Sequence, residues 1–244
     1  MTLPIIKQST CAICGHQQES YSLLSSNTDG HSDLDLRPPE MLRSSMHYWV
    51  QECQQCGYCA ADIGEDILME ERPLIEHMVD HQIYRKIKQD KRLSELARRF
   101  YRQGIILTLF GAYDQAGWAF MHAAWACDDE CADRIGADIC RTEAYDHFYK
   151  CKIGGIPFAT QNGYEEEVMV DILRRSGAFD KANALCFEVF NHVYDVKLIE
   201  ILKFQRELIW MRDGDCYNIG QVLKKSSLNE QRRSAEETEN GPSL

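Results

Sequence analysis

CAICGH at residues 11–16 and CQQCGY at residues 53–58 are the two stretches that decide how the N-terminal part of this chain folds. In each stretch two cysteines flank two residues, and a glycine follows at once. This spacing places both thiolates on one side of a tight turn, and glycine accepts the positive φ that such a turn often requires. Two turns offer four thiolates, which close a tetrahedron around one ion with metal–sulfur bonds of about 2.3 Å. The pattern predicts one structural zinc ion held by Cys11, Cys14, Cys53 and Cys56.

Two neighbouring residues leave the ligand set open. Cys59 extends the second motif to C-x-x-C-x-x-C and could replace Cys56, and His16 could be a fourth ligand. The simpler alternatives are a small packed cysteine and a surface histidine. A closed set of four thiolates leaves no coordination position for a substrate, which favours a structural role. Two C-x-x-C-G turns favour zinc over an iron–sulfur cluster.

Composition and charge exclude several other classes of protein. The chain has 244 residues, of which 44% are hydrophobic and 27% charged, which is typical of globular proteins. Its net charge of -11 disfavours nucleic acids and anionic membranes as partners. No signal peptide and no apolar run of about 18 residues is visible, so we expect a cytoplasmic protein. In that compartment its 11 cysteines are better explained by metal binding than by disulfides.

The fold predicted from the hydrophobic pattern is mainly α. A zinc-ribbon-like region of short β-strands at 1–61 is expected to pack on an antiparallel helical domain at 62–221, resembling tetratricopeptide (TPR) repeats. A tail at 222–244 has few large apolar residues and is expected to lack fixed structure. Apolar residues at i, i+3 and i+4 spacing predict helices near 65–87, 91–110, 112–127, 131–151, 163–176, 178–193 and 195–212.

The TPR-like expectation comes from an internal similarity. GAYDQA at 111–116 resembles GAFDKA at 177–182, and the 66-residue offset is close to two repeats of about 34 residues. A generic helical hairpin with a tight turn is the alternative. The small and aromatic residues that match the TPR spacing around the first copy are Phe100, Gly104, Ala116, Phe120 and Ala123.

If this register holds, two sets of residues line a groove for a protein or peptide partner. The first repeat offers Arg98, Tyr101 and Ile105, and the second offers Tyr164, Glu167, Asp171 and Arg174. Residues 85–102 also form a basic island in an acidic chain. This island could grip RNA phosphates, or it could be a solvated helix flank that pairs with acidic residues.

Two further patterns are weaker. In DLDLRPPEM at 33–41, charged and leucine residues alternate, which indicates either an internal ion pair that anchors the loop or a polar recognition surface. His77 and His81 are four residues apart and could share one helix face as a second metal site, although a solvated face is the simpler interpretation. We find no nucleophile elbow, Walker loop, dinucleotide fingerprint or HExxH motif, so no catalytic residues are assigned.

The order of these motifs resembles a family. CxxCG, the acidic DLDLRPPEM segment, the aromatic YWVQEC at 48–53, CxxCGY and TPR-like helices are together similar to bacterial domain of unknown function 2225. The resemblance covers residues 11–60 best, and Gln54 stands where that family commonly has proline. It implies a bacterial, intracellular protein with metal ligands at the four cysteines, and it implies no activity.

We therefore expect a non-enzymatic interaction or scaffold module in which zinc fixes the N-terminal fold. One alternative is a zinc-linked redox or stress sensor, in which oxidised thiolates release the metal. The other alternative is an RNA-binding protein that uses the basic island.

Overall fold

A computed structural model describes residues 2–131, 133–159, 163–190 and 195–227 of the chain. The chain is mainly helical, with short antiparallel strands in two small sheets, which confirms the predicted fold class at that level. Packing divides it into two compact units. Unit 1 comprises the described parts of Met1–Asp29 and Glu40–Thr160, and unit 2 comprises Gly30–Pro39 and the described parts of Gln161–Leu244. The domain boundaries predicted at residues 61 and 221 stay predictions.

The elements follow one another from strands to helices. Unit 1 contains β1 (Leu3–Thr10), β2 (Gln17–Ser25), a 3₁₀ helix (Arg43–Tyr48), β3 (Gln51–Glu52), β4 (Cys59–Ala60), α1 (Arg72–Asp80), α2 (Gln82–Gln89), α3 (Glu95–Leu109), α4 (Tyr113–Glu130) and α5 (Ile135–Gly154). Unit 2 contains α6 (Tyr164–Arg175), α7 (Phe179–Phe190) and α8 (Val196–Trp210).

Each CxxCG motif forms the loop of a small antiparallel strand pair. β1 pairs with β2 from Leu3↔Ser25 to Thr10↔Gln17, and the first motif joins them. β3 pairs with β4 through Gln51↔Ala60 and Glu52↔Cys59 around the second motif. The strands therefore bring the two ends of each cysteine turn together.

The helix predicted at 65–87 is two helices rather than one. The chain becomes extended at His81, with φ -67° and ψ 143°, and this residue ends α1. The same residue then begins α2, because its Nδ1 accepts the N–H of Ile83 at 3.3 Å. A side chain that caps a new helix competes with continuation of the old one. Apolar periodicity alone does not reveal this break.

Small residues let the helices of unit 1 approach closely. A Cβ on Gly104 of α3 would lie 2.7 Å from the ring of Phe120 on α4. A Cβ on Gly117 of α4 would lie 2.4 Å from the ring of Phe148 on α5. Real side chains do not tolerate such distances, so each glycine seats an aromatic ring of the next helix.

Unit 2 includes a segment that lies between the two cysteine motifs in the sequence, and this segment packs on the helices of unit 2. Within Gly30–Pro39, Asp35 Oδ2 accepts from Arg175 Nη1 of α6 at 2.7 Å, and both side chains are buried. Leu34 packs against Ile201 of α8 and Val222. The interpretation of DLDLRPPEM as an internal ion pair is therefore the one that the structure supports.

The expectation of a tail without fixed structure differs from the structure over 222–227. Residues 219–227 are helical, and Val222 is only 2% exposed because it packs against Leu34 and Ile201. Ile219 packs against the same cluster, and Ser226 Oγ donates to Glu200 Oε2 at 2.9 Å, so several contacts hold this short helix. The rest of the predicted tail, 228–244, lies outside the described residues.

A buried network of charged and polar groups lies between α6 and α8. Arg174 donates to Asp171 Oδ1 at 2.6 Å and to Gln205 Oε1 at 2.7 Å. Gln205 in turn donates to Glu167 Oε1 at 3.3 Å, whereas Glu167 Oε2 has no hydrogen-bond partner. Burial, followed by the repulsion of Asp171, raises the pKa of Glu167 well above its usual value. Folding therefore favours the protonated form of Glu167.

Within the described residues, no helix is both long enough and apolar enough to span a lipid bilayer.

We predict that Glu167→Gln removes a pH dependence from the stability of unit 2. The folded-state pKa of Glu167 is raised, so its stabilising contribution is complete below the unfolded pKa and is lost as pH rises toward the folded pKa. The free energy of unfolding should therefore fall with pH in the wild type, by at most about 1.4 kcal/mol per pH unit. Hydrogen exchange of α6 amides at pH 5 to 8, corrected for intrinsic rates, measures this slope.

The exposed Glu188→Gln on α7 is the matched control and should keep the wild-type slope. Equal slopes in wild type and Glu167→Gln would contradict the prediction.

Candidate metal centre

The two cysteine turns have the same backbone hydrogen bonds. In the first, Cys11 N–H donates to His16 O at 2.8 Å and Gly15 N–H donates to Cys11 O at 2.9 Å. In the second, Cys53 N–H donates to Tyr58 O at 2.8 Å and Gly57 N–H donates to Cys53 O at 2.9 Å. Both glycines have positive φ, 73° and 80°, as the sequence predicted. The two turns therefore hold their cysteines with the same backbone hydrogen bonds.

The four cysteines that the sequence predicted as ligands lie together. Their Sγ atoms are all within 4.8 Å of one another, with 3.8 Å between Cys11 and Cys56 and 3.6 Å between Cys14 and Cys53. A disulfide needs a sulfur–sulfur distance of about 2.05 Å, so these are thiols. A tetrahedral ion with metal–sulfur bonds of about 2.3 Å has sulfur–sulfur edges of about 3.8 Å. The cluster therefore has the dimensions of a four-thiolate metal site.

The surroundings shift the pKa values of the cysteines in different directions. Burial acts to raise the pKa of Cys53, but hydrogen bonds from the backbone of Cys56 and Gln55 and from the thiols of Cys56 and Cys14 together lower it. Burial raises the pKa of Cys11 and of Cys56. A bound cation reverses this penalty because it stabilises every thiolate that contacts it. Protons and a metal ion therefore compete for the same sulfurs.

Arg102 of α3 holds the second turn. It donates from Nη1 to Glu52 Oε1 at 3.1 Å and from Nη2 to Glu52 Oε2 at 2.8 Å, and Nη1 also donates to Gly57 O at 3.0 Å. The hydroxyl of Tyr84 on α2 donates to Gly57 O at 3.1 Å and accepts from Cys59 N–H at 3.0 Å. The Arg102 side chain is 2% exposed, so this pairing is shielded from water.

A second arginine holds the first turn. Arg72 of α1 donates from Nη2 to Ile13 O at 2.8 Å, and Ala12 N–H donates to Ile63 O at 2.9 Å. Ile13 and Ile63 belong to the same buried cluster as Cys11. Helices α1, α2 and α3 thus position both cysteine turns, and the strands do not act alone. Sequence reasoning missed both arginines, because neither lies near a cysteine in the chain.

The two alternative ligands lie outside the cluster. Cys59 is completely buried, its thiol donates to Gly57 O at 3.5 Å, and burial raises its pKa to about 12. His16 is partly exposed and contributes its backbone carbonyl to the first turn. Among the described residues, the four predicted cysteines form the only group of three or more potential metal ligands whose ligand atoms lie close together.

Four of the seven residues predicted to line a partner groove are buried within their own units. Glu167, Asp171 and Arg174 are buried inside unit 2, where they bond to one another through Gln205, so a partner cannot reach them. Tyr101 is also buried in unit 1, and its hydroxyl donates to Glu143 Oε1 at 3.1 Å. These residues, which the sequence predicted to line a groove, therefore form hydrogen bonds inside their own units. Those that stay partly exposed are Arg98, Ile105 and Tyr164.

Many of the cations in the basic island have acidic partners. Arg85 pairs with Asp80 at 2.5 Å, Arg92 with Asp90 at 2.6 Å and Lys88 with Glu52 at 2.9 Å. Arg99 pairs with Glu95 and Glu52, and Arg102 is buried against Glu52. A paired cation attracts a phosphate less strongly, so the structure favours the flank interpretation over an RNA site.

His77 and His81 do not share a helix face. His77 lies on α1, whereas His81 ends that helix and caps the next one, and the ring centroids are 6.1 Å apart. The Nδ1 of His81 already accepts a backbone N–H. The pair therefore has a structural explanation, and the second metal site gains no support.

None of the family models, curated proteins or solved structures compared with this chain matches it.

We predict that Arg102→Met destabilises the metal-loaded protein by about 3 kcal/mol, because Glu52 and Gly57 O lose a buried partner. Arg72→Met is the matched control at the other turn, where the arginine side chain is 51% exposed, and should cost about 1 kcal/mol. Urea unfolding gives both values, and chelator competition gives the accompanying change in metal affinity. Equal losses in the two variants would contradict the buried role of Arg102.

Proposed function

We propose that this chain is a non-enzymatic, zinc-binding interaction module of the kind represented by domain of unknown function 2225. The observation that carries the metal part is the agreement between the sulfur–sulfur distances of 3.6 and 3.8 Å and the edge of a zinc–thiolate tetrahedron, about 3.8 Å. The equivalent backbone bonds of the two cysteine turns support a single shared ion. Four cysteines would fill its coordination shell, so the role assigned to zinc is structural.

The zinc ion would stabilise the fold through both turns at once. It would join the β1–β2 turn to the β3–β4 turn, whose cysteines are separated by 38 residues of sequence between Cys14 and Cys53. Two-stranded pairs are marginal in water without further support. A metal crosslink supplies that support, and metal binding then becomes part of the folding free energy of unit 1.

The helical hairpin α3–α4 supports the TPR-like part of the proposal. All five residues at the TPR spacing are buried, and the seating of Phe120 against Gly104 explains why glycine stands there. Ala182, in the second copy of the similar stretch, is also buried. Small residues at these positions let paired helices approach closely, as a repeat hairpin requires.

The hairpin β1–β2 is the surface that we assign to a protein partner, because most of the predicted groove residues are buried. Ile6 and Leu24 are each 62% exposed, and Leu3 and Tyr21 are about half exposed. Ile6 stands opposite Tyr21 across the pair, so the two share one face. Exposed apolar clusters on a soluble domain commonly mark interaction sites.

The metal assignment is tested by native mass spectrometry of the untagged protein. The wild type should carry one zinc ion, and Cys53→Ser should lose it together with hydrogen-exchange protection of β1–β4. Cys59→Ser and His16→Asn are the matched controls and should keep one ion. A coloured iron species, or loss of zinc in Cys59→Ser, would refute the ligand set.

The interaction surface is tested by affinity capture with Ile6→Asp/Leu24→Asp, compared with wild type and with Met69→Asp. Met69 is 90% exposed outside the hairpin, so its substitution controls for a new surface charge. A partner retained by wild type and Met69→Asp, and lost with the hairpin variant, is the expected result. Partners that the hairpin variant captures as well as the wild type would move the surface elsewhere.

A further inference from the structure

A cleft in unit 2 lies between the start of α7 and the end of α8. Its volume is about 560 Å³, which is large enough for a small ligand or for a few residues of a peptide. Two arginines, an exposed tryptophan, a phenylalanine and two carboxylates are among its lining residues: Arg206, Arg212, Trp210, Phe179, Asp180 and Glu207. All of them belong to unit 2, so neither the metal centre nor the hairpin β1–β2 contributes to this cleft.

The two arginines keep their N–H donors available. Within the described parts of the chain, neither Arg206 nor Arg212 has a carboxylate at ion-pairing distance. Each lies over an aromatic ring instead: Arg212 Cζ is 4.9 Å from the ring centroid of Phe179, and Arg206 Cζ is 5.8 Å from that of Phe190. Stacking holds a guanidinium group in place without using its hydrogen-bond donors. In a chain with a net charge of -11, two such arginines at one cleft are unexpected.

The carboxylates at the cleft do not cancel this charge. Glu207 forms an ion pair with Lys225, and Asp180 lies in the first turn of α7, where the helix itself favours a negative charge. With Lys225 included, three cations face two carboxylates. The cleft therefore has an excess of positive charge.

Arg212 occupies a backbone position that favours glycine. It follows the C-cap of α8 with φ 54°, its N–H donates to Ile209 O at 3.0 Å, and Asp213 N–H donates to Leu208 O at 2.9 Å. This is the Schellman ending of a helix, in which glycine is the usual residue because a Cβ is unfavourable at positive φ. Arginine therefore gives the helix end nothing that glycine lacks. What it adds is a guanidinium group at the cleft.

Trp210 adds an apolar surface beside the two guanidinium groups. Its side chain is 86% exposed in the last turn of α8, although a tryptophan is stabilised by removal from water. Tryptophan and arginine are the residue types that most often carry the binding energy of a protein interface. The combination fits a ligand in which carboxylates stand next to an apolar side chain.

We propose that this cleft binds an acidic peptide segment of a protein partner. The carboxylates of the segment accept charge-assisted hydrogen bonds from Arg206 and Arg212, and its apolar side chain packs on Trp210. The net charge of -11 repels an extended polyanion such as RNA, whereas a short acidic segment meets the local excess of positive charge. This binding site is additional to the surface assigned to the hairpin β1–β2.

Fluorescence anisotropy of the full chain with a labelled peptide tests the proposal. The probe is a fluorescein-labelled peptide in which glutamates flank a phenylalanine, and its counterpart has glutamine in place of each glutamate. We expect the glutamate peptide to bind at least about tenfold more tightly than the glutamine peptide, because charge-assisted hydrogen bonds are lost in the latter. Added salt should weaken binding of the glutamate peptide, since exposed charges are screened.

Two variants separate binding from folding. Arg206→Gln and Arg212→Gly should each weaken binding of the glutamate peptide by at least about tenfold. Arg212→Gly should nevertheless keep or raise the urea midpoint of unfolding, because glycine relieves the positive φ. Lys197→Gln is the matched control: it removes one exposed positive charge near the start of α8, outside the cleft, and should keep the wild-type affinity.

Several results would overturn the proposal. They are equal affinity of wild type and Arg206→Gln, equal affinity for the two peptides, and displacement of the peptide by single-stranded RNA at equal mass. If Arg212→Gly fails to fold, Arg206→Gln decides the question. The hairpin variant Ile6→Asp/Leu24→Asp should bind the peptide as the wild type does, and a loss there would assign the peptide to the hairpin instead.

Discussion

The convergence of four cysteine sulfurs on one point is the constraint on which the N-terminal structure depends. Two turns separated by 38 residues of sequence have to present two thiols each, and all four sulfurs lie within 4.8 Å of one another. Each turn meets this demand with the same pair of backbone bonds and one glycine at positive φ. The strand pairs on either side then close the loops. Burial alone would disfavour thiolates here, so the arrangement makes chemical sense around a cation.

Helices α1, α2 and α3 also bond to the two cysteine turns. Arg102 and Tyr84 both donate to Gly57 O, and Arg72 donates to Ile13 O, so each cysteine turn has an arginine bonded to its backbone. Glu52, next to Cys53, neutralises Arg102 in a shielded position. Strand pairs that stood alone would satisfy these groups with water. Here the strand pairs and helices α1, α2 and α3 pack together within unit 1, so we expect a substitution in one to affect the other.

Ion pairs inside the described parts of the chain engage several charges that the sequence offered to a partner. Acidic partners engage Lys88, Arg99 and Arg102, and the polar residues of α6 bond within unit 2. The exposed apolar residues Ile6 and Tyr21, which stand opposite each other on the hairpin β1–β2, are a feature that we propose for a partner.

The features that the sequence predicted correctly depend on residues that are close together in the chain. The spacing within each CxxCG motif fixes a turn, and apolar periodicity fixes a helix, because both depend on neighbours within a few positions. Four ligands and a mainly helical body follow from those patterns. The ion pair of Asp35 was also foreseeable as a type of contact, although its partner Arg175 was not.

Tertiary structure decided which polar groups face inward. Arg98 and Arg102 lie one helical turn apart in the same basic stretch, yet Arg102 is buried against Glu52 and Arg98 stays partly exposed. Glu167, Asp171 and Arg174 matched the pattern of a groove, yet α8 covers them through Gln205. Burial of a charge depends on a partner that lies tens of residues away, and the residues next to the charge in sequence do not identify that partner. The sequence by itself therefore determined the four cysteines that could hold a metal ion and the mainly helical fold, whereas packing determined which side chains stay exposed.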